Sequence, residues 1–124
     1  MDKKTILIVD DNADTRLVLS ARLKANHYHT IFAADALQAM SVALKERPDA
    51  ILLDLGLPGG NGLTVLQRLK ANTSLGGIPV IIVTAEDPLV AEARTSEAGA
   101  VAFLQKPVDQ DKLMAAVQQA VGTT

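Results

Sequence analysis

The sequence predicts an α/β domain, a doubly wound parallel sheet of five strands with helices on both faces. Three observations carry this prediction. Five short apolar runs alternate with five segments of helical periodicity along the chain. Most of the runs are β-branched and continuous rather than alternating, as in strands buried on both faces. Neither a repeat, nor a low-complexity tract, nor a linker interrupts the alternation. Strand–helix alternation implies right-handed crossovers, and therefore parallel strands with helices packed on both sides.

The first strand is Thr5–Val9, TILIV, and it stops at Asp10-Asp11. Thr15, Val18, Leu19 and Leu23 then recur at helical spacing, leaving Arg16, Arg22 and Lys24 to face water, while Leu17 falls off the stripe. His29–Ala33 is a second, less apolar strand. Asp35 is the expected N-cap of a helix with Ala36, Ala39, Met40 and Ala43 on its inner face. Pro48 ends that helix by turning Arg47 away from helical torsions. The third strand, Ala50–Leu53, breaks off at Asp54, and a glycine- and proline-containing loop over 56–62 opens the next helix. Leu63, Leu66 and Leu69 mark that helix, and Gly76-Gly77 ends it. The fourth strand is Pro79–Val83, with proline at the end that pairing tolerates, and it leads to Thr84-Ala85. An alanine-rich helix over Leu89–Ala98 is capped by Gly99. The short strand Val101–Leu104 runs into Lys106-Pro107, and Leu113, Ala116, Val117, Ala120 and Val121 trace the last helix.

Composition narrows the function. One domain accounts for 124 residues, and 48% hydrophobic content suffices for a covered core. A net charge of −2 makes no electrostatic case for nucleic acid or an anionic membrane. Tyr28, Phe32 and Phe103 are too few for a base-stacking platform. Without cysteine there is neither disulfide, thiolate catalysis nor Cys-ligated metal. Lys3 and Lys4 precede an apolar run of only Ile6–Val9, too short for a signal peptide, and no run approaches the roughly 18 residues of a membrane span. A soluble, cytoplasmic domain is expected.

Four of the five strands end in a polar residue: Asp10/Asp11, Asp54, Thr84 and Lys106. In a parallel sheet these ends share one edge, where open α/β sheets bind ligands. Carboxylates gathered there repel one another and raise one another's pKa unless a cation intervenes. Oxygen-only donors suit a hard ion, and Mg²⁺ needs just one or two carboxylates. Lys106 adds a point charge suited to a phosphate, and the Thr84 hydroxyl can donate to a phosphate oxygen. An acid nucleophile, a hydroxyl, an ammonium and Mg²⁺ together suggest phosphoryl transfer to an aspartate.

IVDDN after the first strand, LLDLGLPGGNGL around Asp54, IIVTA at the fourth strand and AGAVAFLQKP at the fifth resemble the receiver domain of two-component response regulators. The resemblance spans nearly the whole chain, with motif order and spacing kept. It implies a flavodoxin-like (βα)5 fold of strand order 2-1-3-4-5, and a single receiver domain over 1–124 with no output domain. By the same resemblance, Asp54 is the phosphoacceptor, served by a histidine kinase, a histidine phosphotransfer protein or a small phosphodonor. Asp10, Asp11, Asp54 and the backbone carbonyl of Gly56 are the implied Mg²⁺ ligands. Thr84 is the implied switch hydroxyl, Lys106 the partner of the phosphoryl oxygens, and Phe103 the aromatic whose rotamer follows Thr84. The Lys106–Pro107 bond resembles one that is usually cis. The implied activity is a switch that phosphorylates and dephosphorylates only itself. Its fourth helix, fifth strand and fifth helix then face a downstream partner or a phosphorylation-dependent homodimer.

Some positions depart from the commonest family pattern. Gly56 offers no side chain beside Asp54, and it and Glu86 flank the path of attacking water, which bears on the lifetime of the phosphorylated state. Phe103 lacks a tyrosine hydroxyl, and Asn61 stands where aspartate is frequent before Gly62. Plain structural readings stand beside these roles: Asp11 or Asp14 as caps of the first helix, Thr84 as a strand end, Lys106 as a solvated lysine and Phe103 as core. His27 and His29 are read as surface residues. Pro58-Gly59-Gly60 is not a P-loop, since no G-K-[ST] follows; it reads as a mobile turn beside Asp54. A small Mg²⁺-dependent phosphatase of the haloacid dehalogenase kind would want a second aspartate at Gly56. A receiver-fold adaptor that is never phosphorylated would need no metal.

Overall fold

The computed structural model describes residues 3–58 and 62–122. Thr5–Val9 (β1), His29–Ala33 (β2), Ala50–Leu53 (β3), Val80–Thr84 (β4) and Ala102–Gln105 (β5) form one parallel sheet in the order β2-β1-β3-β4-β5. Between and after them lie Ala13–Ala25 (α1), Ala36–Glu46 (α2), Gly62–Ala71 (α3), Pro88–Glu97 (α4) and Gln110–Val121 (α5). β4 and β5 sit one residue later than their apolar runs indicated, and α4 begins one residue earlier, at Pro88. The N–H that Pro79 lacks falls just outside β4, while its carbonyl accepts from Ile51 at 3.0 Å.

The alternation of side chains along buried strands divides the core in two. Leu7, Val9, Ile51, Leu53, Val80 and Ile82 face α2, α3 and α4, where Ala39, Ala43, Val65, Leu66, Leu69 and Ala91 are buried. Ile6, Ile8, Leu52, Ile81 and Val83 face α1 and α5, where Leu19, Leu23, Leu113 and Val117 are buried. On α1 the expected stripe is only partly realised. Val18 is half-exposed, Leu17 more so, and Ser20 is buried, its hydroxyl 2.7 Å from that of Thr30 on β2. The helix is rotated so that this hydroxyl pair, satisfied internally, replaces an apolar contact.

Helix ends follow local chemistry. Asn12, not Asp11 or Asp14, caps α1 by accepting from Thr15 N. Asp35 caps α2 as expected, and Arg47 leaves that helix in a left-handed conformation (φ 48°) ahead of Pro48. At the end of α4, Gly99 N donates to Ser96 O and Ala100 N to Thr95 O, the paired bonds of a Schellman turn. Gly99 supplies the positive φ of 106° that this turn requires; the cap itself is Ala98.

Residues 59–61 lie outside the described residues, and with them the turn Gly59-Gly60 and Asn61. Just beyond, Gly62 N donates to Leu55 O at 2.8 Å, bringing the start of α3 against the chain that follows β3. A Cβ here would run into the carbonyl oxygen of Asp54 and lie 2.7 Å from Leu55 Cα. Both obstacles are backbone and cannot rotate away. Gly62→Ala is therefore expected to cost at least about 1–3 kcal/mol, as overpacking does, read as a lower midpoint in urea unfolding; an unchanged midpoint contradicts this packing.

Candidate functional site

Asp10 follows β1 and Asp54 follows β3, and these strands are neighbours with Val9 in register with Leu53. The chain stays in line past each strand end, Asp10 N donating to Ala33 O at 3.1 Å and Asp54 N to Val9 O at 3.0 Å. Asp10 (2% exposed) and Asp54 (8%) are buried, while Asp11 is open to solvent. One carboxylate oxygen from each of Asp10, Asp11 and Asp54 lies within 4.8 Å of the other two.

The two buried acids share one cation. Lys106 Nζ donates to Asp10 Oδ2 at 2.7 Å and to Asp54 Oδ2 at 3.3 Å, reaching from beyond the edge strand β5. The remaining oxygens are held by main chain: Asp10 Oδ1 accepts from Asn12 N at 2.9 Å and Asp54 Oδ1 from Gly56 N at 3.1 Å. Three carboxylates meet one directly paired ammonium, with the Arg16 guanidinium nearby on the Asp10 carbonyl. Partial burial pulls the Lys106 pKa down. The hydrogen bond donated to Asp10 and the charges of Asp54 and Asp10 outweigh it, holding the ammonium above its ordinary 10.5.

Thr84 is buried at the end of β4, its Oγ1 accepting from Glu86 N at 3.3 Å, and its carbonyl accepts from Lys106 N at 2.8 Å. The lysine and the threonine are thus tied through the last rung of the sheet. Phe103 on β5 is half-buried and packs against the α2–α3–α4 side of the core. The Lys106–Pro107 peptide bond is cis. Glu86 lies 3.7 Å from Arg94 of α4.

Two arginines read as solvent-facing are not so. Arg16 Nη1 donates to Asp10 O at 2.7 Å, and Arg22 Nη1 to Val108 O at 2.9 Å. Backbone carbonyls leave no mark in a sequence, so side-chain periodicity could not find these partners. Asn12 was likewise missed, although an Asn directly before a helical stripe is an N-cap signal.

A family model for the response regulator receiver domain matches residues 6–118. Over 119 residues, 96% of this chain and 94% of the relative, the chain is 39% identical to sporulation initiation phosphotransferase F of Bacillus subtilis (strain 168). It is 41% identical over 114 residues to the response regulator PleD of Caulobacter vibrioides, covering 91% of this chain but 25% of PleD. Among solved structures, the chemotaxis response regulator CheY4 of Vibrio cholerae superposes with a TM-score of 0.87 at 26% identity, covering 96% of this chain and 99% of that one. The receiver domain of a sensor histidine kinase from Pseudomonas aeruginosa PAO1 gives a TM-score of 0.88 at 30% identity over 98% of this chain and 100% of that one. That structure has a magnesium ion coordinated in its active site cleft.

Removing the shared cation leaves two buried acids facing each other. Lys106→Met is expected to lower the stability of the metal-free protein at neutral pH by about 1–3 kcal/mol. Folding raises the lysine's pKa, so its stabilisation is complete below 10.5 and fades as pH climbs through the higher folded-state value. Urea unfolding at stepped alkaline pH should show wild type losing stability more steeply than Lys106→Met; parallel curves would contradict the pairing.

Proposed function

The chain belongs to the response regulator receiver family of two-component systems, and from that premise we propose a phosphorylation-controlled switch whose phosphoacceptor is Asp54. The observation that carries this reading is the Lys106 ammonium bridging Asp10 and Asp54, with Asp11 completing the acid cluster. The donor set is all oxygen, which suits Mg²⁺, and one carboxylate oxygen of each acid already lies within 4.8 Å of the other two. Asp10, Asp11, Asp54 and the carbonyl of Gly56 would hold the ion. When bound, it would supply positive charge to the acids and to the phosphoryl oxygens.

In the proposed reaction an Asp54 carboxylate oxygen attacks phosphorus, forming the acyl phosphate bond as the P–N bond of a donor phosphohistidine breaks. The imidazole leaves with the electron pair, holding its proton on the other ring nitrogen. Lys106 Nζ, within hydrogen-bond reach of Asp54 Oδ2, pairs with an oxygen of the arriving group. The Thr84 hydroxyl, now on the Glu86 amide, turns to donate to another. Phosphorylation adds about 1.5 to 2 negative charges to the rim, and Thr84 and Lys106 carry that change to β4 and β5. Phe103, packed under α4, is the switch aromatic that follows them.

The donor partner is a histidine kinase or histidine phosphotransfer protein of the cytoplasm. The α4–β5–α5 surface is read by a downstream protein or a second copy of the chain. Self-phosphorylation and self-dephosphorylation are the chemistry proposed. Gly56 argues against a haloacid dehalogenase phosphatase, because the second aspartate of that chemistry has no counterpart there. Acetyl phosphate with Mg²⁺ should label the wild type with acid-labile phosphate and leave Asp54→Asn unlabelled, while excess EDTA should suppress labelling at least about 100-fold. Undiminished uptake by Asp54→Asn would end the assignment.

A further inference from the structure

Helix α1 packs on the sheet through Leu19 and Leu23, which are buried in the core. At the rim it adds two polar ties. Arg16 bonds the carbonyl of Asp10, and Arg22, on the groove side lined by Val18, Leu19, Pro107 and Val108, bonds the carbonyl of Val108 at 2.9 Å. Val108 stands two residues beyond Lys106, in the short connection between β5 and the Asp109 cap of α5. That connection leaves the sheet after Lys106 N has bonded Thr84 O. Across the following peptides, Arg22 is the donor that meets a main-chain carbonyl, from 86 positions away in sequence.

We propose that Arg22 is a positioning residue for Lys106: through the Val108 carbonyl it sets how far the lysine's connection stands from the acid cluster. This rests on the reading of Asp54 as phosphoacceptor. The planar guanidinium, always charged, directs its bond to that carbonyl with a fixed fork geometry. Because Arg16 ties the same helix to Asp10, α1 acts as a bracket between the Asp10 carbonyl and the Lys106 connection. Loss of Arg22 frees one arm of that bracket and lets Nζ drift from the line between Asp10 Oδ2 and Asp54 Oδ2. Misplacement by an ångström can slow a positioned reaction about 100-fold.

The test uses the full chain, acetyl phosphate and Mg²⁺, so that no partner surface enters. Arg22→Ala should lower the limiting rate of Asp54 phosphorylation by about 10-fold to 100-fold. Arg22→Lys should recover part of that loss. In a Lys106→Ala background the same Arg22→Ala change should have no further effect. A second readout needs no phosphorylation: the Lys106 Cε–Hε resonance of the metal-free protein should move toward that of a free lysine in Arg22→Ala. A rate within twofold of wild type, an equal loss in the Lys106→Ala background, or an unmoved resonance would each overturn the proposal. If wild type itself takes up no phosphate, the phosphoacceptor reading fails instead, while the resonance still decides whether Arg22 holds Lys106.

Discussion

Two acids buried side by side at the end of a parallel sheet form the constraint to which the rest of the rim answers. Asp10 and Asp54 extend neighbouring strands, so the sheet itself forces their proximity. Left alone, two like charges so close would repel. Lys106 resolves this from a distance. Its strand lies two places from β3 in the sheet, and the flexible stem of a lysine spans that gap where a rigid side chain would need the backbone to follow. The interaction is a compensation rather than a surplus, because one directly paired ammonium meets three carboxylates.

The scaffold around this charge cluster is built from backbone contacts more than from side-chain packing. Gly62 lets α3 begin against the Asp54 carbonyl, and a methyl group there has nowhere to go. Asn12 and Gly56 direct amides at the outer oxygens of Asp10 and Asp54. The result is a set of acids whose orientations are fixed without the lysine occupying every acceptor. Main-chain donors are well suited to this task, because they lose no rotamer freedom when they bond and cannot swing away when the ligand changes.

The same rim connects to the rest of the molecule asymmetrically. Thr84 and Lys106 are joined through the last rung between β4 and β5, and Phe103 lies on the same edge strand beneath α4. In the proposed switch, a charge change at Asp54 would reach α4 through the Thr84 hydroxyl, the Lys106 ammonium and the Phe103 ring. On the opposite side, α1 offers two arginine ties.

Much of this was legible in the chain itself. Continuous apolar runs such as Ile51–Leu53 and Ile81–Val83 determine strands covered on both faces, and their alternation with helical stripes determines a parallel sheet. Parallel strands in turn place Asp10, Asp11, Asp54, Thr84 and Lys106 on one edge, because every strand ends at the same side. What the residue order left open was decided by tertiary structure. Val18 lost its place in the core to Ser20 because a buried hydroxyl pair with Thr30 satisfied itself across α1 and β2. Arg16 and Arg22 turned inward because their acceptors are carbonyls, identical at every residue and invisible to pattern. Side-chain periodicity reports which face of an element is oily; only the folded chain reports which main-chain oxygen waits opposite a charged one.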